Sequence, residues 1–144
     1  MHALSLGQGD WQSLQREAKY VREQVFIIEQ QISADEEWDV LDEQSIHFVL
    51  FEQDQPIATA RLLPDHHIGR VAVLKSHRGQ GLGAHLMQQV MQYAQAEQRP
   101  FLALSAQVYA TAFYEQLGFQ VKGEEYLDCG IPHIMMSMQL NTSI

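Results

Sequence analysis

Arg70-Val71-Ala72-Val73-Leu74-Lys75-Ser76-His77-Arg78-Gly79-Gln80-Gly81-Leu82-Gly83-Ala84 is the stretch that decides how this chain is read. A short apolar strand runs into a loop with glycine at 79, 81 and 83, and an amphipathic helix follows at once. Glycine strips side chains from a turn and tolerates left-handed backbone, so several N–H groups can converge on one point. The helix start adds the positive end of its dipole there. Strand, loop and helix N-terminus together make an anion site, whose usual occupant is a phosphate group. The local charge agrees. Lys75, His77 and Arg78 flank the loop, and no Asp or Glu occurs between Asp65 and Glu97, in a chain of net charge −9. A polyphosphate needs local positive potential whatever the overall sign. The competing reading is a strand-to-helix turn that uses glycine only for close packing.

Two kinds of phosphate site are excluded or marked down. A P-loop ends in Gly-Lys-Ser/Thr, which is missing here. Gly79, Gly81 and Ala84 formally satisfy the dinucleotide pattern G-x-G-x-x-A. That pattern also requires a following strand ending in an acid for the ribose. The next strand, Phe101 to Ser105, runs into Ala106 and Gln107 instead, and the unit sits mid-chain rather than opening a domain.

Arg78-Gly79-Gln80-Gly81-Leu82-Gly83 resembles the R/Q-x-x-G-x-G/A motif of the GNAT (Gcn5-related) N-acetyltransferases. Ala112-Phe113-Tyr114-Glu115-Gln116-Leu117-Gly118-Phe119 resembles the family's second signature, at a spacing that suits it. Arg22-Glu23-Gln24-Val25-Phe26 with Glu29-Gln30, then His47, then Gly130-Ile131-Pro132-His133, resemble the ElaA-like branch, so that the match covers nearly the whole chain.

The resemblance implies a central mixed sheet with two splayed parallel strands and acetyl-CoA as co-substrate, with no metal. It implies that backbone N–H groups from Arg78 through Gly79, Gln80, Gly81, Leu82 and Gly83 to Ala84 hold the pyrophosphate. The pantetheine arm would lie along Val71, Ala72 and Val73, and the N–H near Val73 would polarise the thioester carbonyl. Gln107 stands where many relatives have an Asn that bonds the arm. Tyr114 is the implied general acid for the leaving thiolate, since an unperturbed phenol with pKa ~10 is protonated at neutral pH. Helical spacing alone would make Tyr114 a core residue. The base that takes the amine's proton stays open. Many relatives place a Glu on the central strand, but residues 70–73 offer no carboxylate. Glu29, His47 and His133 are the candidates, and a chain of waters could replace them. A His titrates near ~6.5, which suits a base at neutral pH.

Length and composition agree with one domain of 144 residues, 46% hydrophobic and 19% charged. No apolar run approaches the ~18 residues that span a bilayer. The N-terminus lacks the basic start and apolar core of a signal peptide. A cytoplasmic protein is expected, with no membrane partner. The acidic balance argues against nucleic acid. The single Cys129 cannot form an internal disulfide, and the neighbouring Asp128 raises rather than lowers its thiol pKa. A two-fold homodimer is the default assembly.

Periodicity gives the elements. Trp11, Leu14, Ala18, Val21 and Val25 stripe a helix over 11–26, with Asp10 as N-cap. Residues 34–43 carry Asp35, Glu36, Glu37, Asp39, Asp42 and Glu43 around Trp38, as either a solvated loop or a negative lip for a cationic amine. Strands are expected at 46–51, 57–63 and 68–73, and the glycine loop then opens a helix to about Glu97. A strand at 101–105 and a short helix at 111–117 follow. A strand starts at 119–121, residues 123–130 are read as a loop, and 134–140 closes the sheet. The fold class is therefore α/β (α+β mixed), one mixed sheet with helices on both faces. The strands at 68–73 and 101–105 are joined by a right-handed crossover and must be parallel.

The expected activity is transfer of the acetyl group of acetyl-CoA to a primary amine, on a small molecule or at a Lys or N-terminus, by direct attack in a ternary complex. The rival is a module that binds acyl-CoA and senses it without catalysis.

Overall fold

The computed structural model describes residues 3–32 and 39–140. The strands are β1 (Leu4–Gly9), β2 (Ile46–Glu52), β3 (Gln55–Leu62), β4 (His67–Val73), β5 (Phe101–Gln107), β6 (Gln120–Asp128) and β7 (Ile131–Gln139). They form one sheet in the order β1-β2-β3-β4-β5-β7-β6. Every neighbouring pair is antiparallel except β4 and β5. The helices are α1 (Trp11–Arg22), α2 (Leu82–Ala96) and α3 (Thr111–Gln116).

Alternation assigns the two faces. Phe48 and Leu50 of β2 join the large apolar cluster that α2 completes with Leu86, Met87, Val90 and Ala94. His47 points the other way and meets Trp11 of α1 at 4.7 Å between ring centroids. On that second face Val21, Val25 and Phe26 pack with Ala72 of β4. The N-cap is as expected: the Ser13 N–H donates to Asp10 Oδ1 at 2.9 Å. The helix does not stay α to its end. From Glu23 to Glu29 it widens into a π-helix, and the N–H of Gln30 reaches five residues back to the carbonyl of Val25 at 3.0 Å.

Two expectations on the strands need correction. β1 was not foreseen. It is an edge strand with two glycines, and at Gly7 a Cβ would stand a tight 3.0 Å from the Phe51 ring. The expected loop at 123–130 is mostly strand: β6 runs to Asp128, and only Cys129 and Gly130 turn, at φ +53° and +76°. β6 is exposed along its whole length, so burial left no alternation to read. Gly123, Glu124 and Glu125 also interrupt its pairing with β7.

The parallel pair is what opens the site. β4 and β5 are paired only at His67–Ala103 and Ile68–Leu104. Just beyond, the β3–β4 register slips and Arg70 takes φ +52°. A slipped register of this kind bends the strand that carries it. β4 thus leaves β5 from Gly69 onward, giving the splay expected of this pair.

Candidate active site

The gap between the splayed strands opens into a cavity of about 780 Å³. Val71, Ala72 and Val73 line it on the β4 side, Ser105 and Gln107 on the β5 side, and Phe113 and Tyr114 from α3. The glycine loop and the first turn of α2 close one end.

That end is built from backbone. Gly79 and Gly81 have φ +77° and +78°, a conformation glycine takes at no steric cost. A Cβ at either would meet no atom within 4 Å, so the dihedral rather than space requires glycine there. Gly83 differs: its Cβ would lie 3.4 Å from Phe113 Cζ and 3.6 Å from Val73 Cγ2, where helix and strand approach closely. The first α2 bond runs from the His85 N–H to the Gly81 carbonyl. The N–H groups of Leu82, Gly83 and Ala84 therefore have no partner inside the helix. Nothing acidic lies in the first turn.

Of the residues singled out in the sequence, Val71, Ala72, Val73, Arg78, Gly79, Gly81, Leu82, Gly83, Ala84, Gln107, Tyr114 and His133 all line this cavity. Gln80, Glu29 and His47 do not line it.

Arg78 is already engaged. Its two terminal nitrogens donate to the two carboxylate oxygens of Glu29, each at 2.6 Å, and its Nε donates to the Val73 carbonyl at 3.0 Å. Glu29 is held below the usual carboxylate range by those Arg78 hydrogen bonds. A carboxylate committed in this way takes a proton poorly.

Tyr114 is 9% exposed, packed edge-on against Phe113 at 5.0 Å and Phe119 at 6.1 Å. Burial pushes its phenol up to about 12. His133 also lines the cavity, opposite Gln107 in the β5–β7 register. Its Nδ1 lies 2.7 Å from the Ile131 carbonyl. A carbonyl only accepts, so Nδ1 carries a hydrogen, and in the neutral ring the lone pair then sits on Nε2. The ring stacks on Tyr126 at 6.1 Å, whose hydroxyl bonds Ser105. Gln107 faces Gln30 across the opening: Gln107 Nε2 donates to Gln30 Oε1 at 3.1 Å, and the reverse contact is 3.5 Å.

His47 sits elsewhere, in a buried knot of charges. Its Nε2 donates to the Asp42 carbonyl oxygen at 2.8 Å, and burial lowers its pKa. Asp42 accepts from Arg22 at 2.7 Å and from Arg61 at 2.8 Å. Arg61 also donates to Asp39 at 2.7 Å, which pairs with Arg70 at 3.2 Å. Burial opposes the charges on Asp39 and Asp42, yet the arginine hydrogen bonds outweigh it and hold both below the usual range. These two aspartates form neither the solvated loop nor the negative lip expected of the acidic segment. Asp35, Glu36, Glu37 and Trp38 lie outside the described residues. Sequence reasoning missed the roles of Arg61, Arg70 and Gln30. The available signal was Arg61 itself, the one charge in the Ile57–Leu63 run.

Residues 14–140 match the family model described as acetyltransferase (GNAT) domain. The uncharacterized N-acetyltransferase YjcF of Bacillus subtilis is 38% identical over 125 residues, 84% of this chain and 89% of that protein. The crystal structure of an acyl-CoA N-acyltransferase from Pseudomonas aeruginosa superposes with a TM-score of 0.86 at 32% identity, over 94% of this chain and 99% of the other. Escherichia coli ElaA superposes with a TM-score of 0.85 at 26% identity, again over 94% and 99%.

Proposed function

The chain belongs to the GNAT acetyltransferase family, in its ElaA-like branch, and from that premise we propose that it carries the acetyl group of acetyl-CoA to a primary amine. The observation that carries the proposal is the convergence of unpaired backbone donors, a buried phenol and an imidazole on one cavity. The N–H groups at the start of α2 receive the diphosphate, which has no competing carboxylate there. The arm then follows the free edge of β4 into the splay and brings the thioester towards Tyr114. An N–H near Val73 donates to the carbonyl oxygen as negative charge gathers on it.

Direct attack in a ternary complex forms the C–N bond and breaks the C–S bond. The amine must first lose a proton, and His133 Nε2 is the group placed to take it. Glu29 is turned to Arg78 and His47 is outside the cavity, which leaves His133 as the favoured base of the three. Tyr114, with its phenol at about 12, keeps its hydrogen at every working pH and donates it to the sulfur as the thiolate leaves. Holding both reactants in one cavity supplies much of the acceleration, since positioning alone is worth roughly 7–11 kcal/mol. The acceptor is a small-molecule amine or a Lys or N-terminal amine that fits between Arg70, Ser105 and His133.

Tyr114→Phe tests the reading. Loss of a proton donor costs about 10²–10⁴-fold in turnover, and CoA affinity should be unchanged by calorimetry. Unchanged turnover on an amine panel would remove Tyr114 from the reaction.

A further inference from the structure

Glu29 and Gln30 are adjacent at the end of the π-helix, yet they reach opposite rims of the cavity. Glu29 holds Arg78, the first residue of the glycine loop, through two bonds of 2.6 Å. Gln30 meets Gln107, the last residue of β5, at 3.1 Å. The π-helix itself is packed on β4 through Val25, Phe26 and Ala72. The Gln30–Gln107 pair therefore bridges the β4 side to the β5 side just where the two strands have parted. Both side chains line the cavity.

We infer that Gln30 is a second carboxamide for the co-substrate's arm, a binding residue that works with Gln107 to clasp the pantetheine amides; this rests on the acyl-CoA reading above. The chemistry is a matter of like for like. A carboxamide offers two N–H donors and an oxygen with two lone pairs. The pair uses one good contact and one long one, so each group keeps unused capacity. The pantetheine arm carries two secondary amides, each with one N–H and one carbonyl. When the arm enters, the amide–amide bonds of the pair are exchanged for amide–amide bonds to the arm. No buried group is left unpaired, and unpaired groups are what make such an exchange expensive. Glu29 fixes the segment, so that Gln30 needs only a side-chain rotation. A simple hydrophobic plug at this point could not make that exchange.

The test compares two ligands by calorimetry: CoA, and its nucleotide half, adenosine 3′-phosphate 5′-diphosphate, which has no arm. Gln30→Leu keeps the size and removes the amide. It should weaken CoA about tenfold and leave the nucleotide half unchanged. Gln30→Glu, which can accept but not donate, should fall between Leu and the wild type. The Gln30→Leu/Gln107→Leu pair should be non-additive, because each residue is the other's partner in the free protein. The inference is overturned if Gln30→Leu leaves CoA binding intact, or if it weakens both ligands by the same factor. A wild type that binds CoA but shows no turnover on amines would remove the acyl-transfer reading and leave the clasp standing. A wild type that binds no CoA would remove both.

Discussion

The middle of β4 and the loop beyond its C-terminal end handle charge in opposite ways. At Arg70 the strand joins a knot in which Arg22, Arg61 and Arg70 meet Asp39 and Asp42, with each carboxylate shared by two guanidinium groups. Just past Val73 the chain enters the glycine loop, whose N–H donors face a cavity with no acid in the adjoining helical turn. In the first region the counter-charge is built in, so its electrostatics are spent on holding the 39–44 segment against β3 and β4. In the second the first helical turn carries no acid of its own, which under the proposed function leaves the counter-charge to arrive with the ligand. A charged cluster whose charges already answer one another is architecture, and one that lacks its opposite sign is a site.

Removing a charge from the knot should have the largest effect. Asp42→Ala leaves Arg22 and Arg61 buried without their shared partner, and breaking such a pair costs about 3–5 kcal/mol. Urea unfolding should show it, and a loss under 1 kcal/mol would mean that water reaches the knot. In the loop, Gly81→Val forces a β-branched residue into φ +78°, at a strain of about 1–3 kcal/mol. Here the main readout is CoA affinity rather than folding. If stability falls and CoA binding does not, the loop is only a turn.

A third experiment uses pH. His47 is depressed below its ordinary 6.5, so the unfolded chain binds its proton first. Its contribution is complete above that value and is lost as pH falls from 6.5 towards the folded value. Asp39 and Asp42 lie below 3.8, so their contribution holds above that value and disappears only below it. Acid weakening should thus start near pH 6.5, and His47→Gln should flatten it in urea midpoints at pH 5, 6 and 7. The smallest effect is expected of Glu29→Gln. Arg78 and Glu29 are 40% and 31% exposed, and exposed pairs contribute about 0–1 kcal/mol. A large loss of stability there would put this pair in the same class as the knot.

The same contrast explains what could be read in the sequence. The backbone end was legible because glycine positions encode dihedrals locally: Gly79, Gly81 and Gly83, followed by the Leu82, Leu86, Met87, Val90 stripe, fix loop and helix within a short window. The knot was not, because Arg22, Asp42 and Arg61 are about twenty residues apart from one to the next, and no local pattern links them. Arg22 entered only as part of the ElaA-like stretch Arg22-Glu23-Gln24-Val25-Phe26. The acidic run looked like a surface, yet Asp39 and Asp42 turn inward to partners on other elements. Likewise β1 and the second half of β6 were missed because an edge strand needs little buried surface, and their glycines and charges look like loop. Tyr114 and His133, both drawn from the family resemblance, line the cavity, whereas His47, drawn from it too, packs against Trp11.

The π-helix has a consequence for how the chain tolerates length changes. Such a turn holds one residue more than an α turn. Deleting one residue between Glu23 and Glu29 would let the ordinary ladder run on with its pitch restored, so the helix would survive and would even be better bonded. Because that turn closes on one residue more, the segment after the cut would keep roughly its direction around the helix axis, with Glu29 still near Arg78 and Gln30 near Gln107. The surplus residue is thus a length the helix has absorbed: its removal should spare both side chains, whereas a one-residue cut in the regular part of α1 would turn them by about 100°.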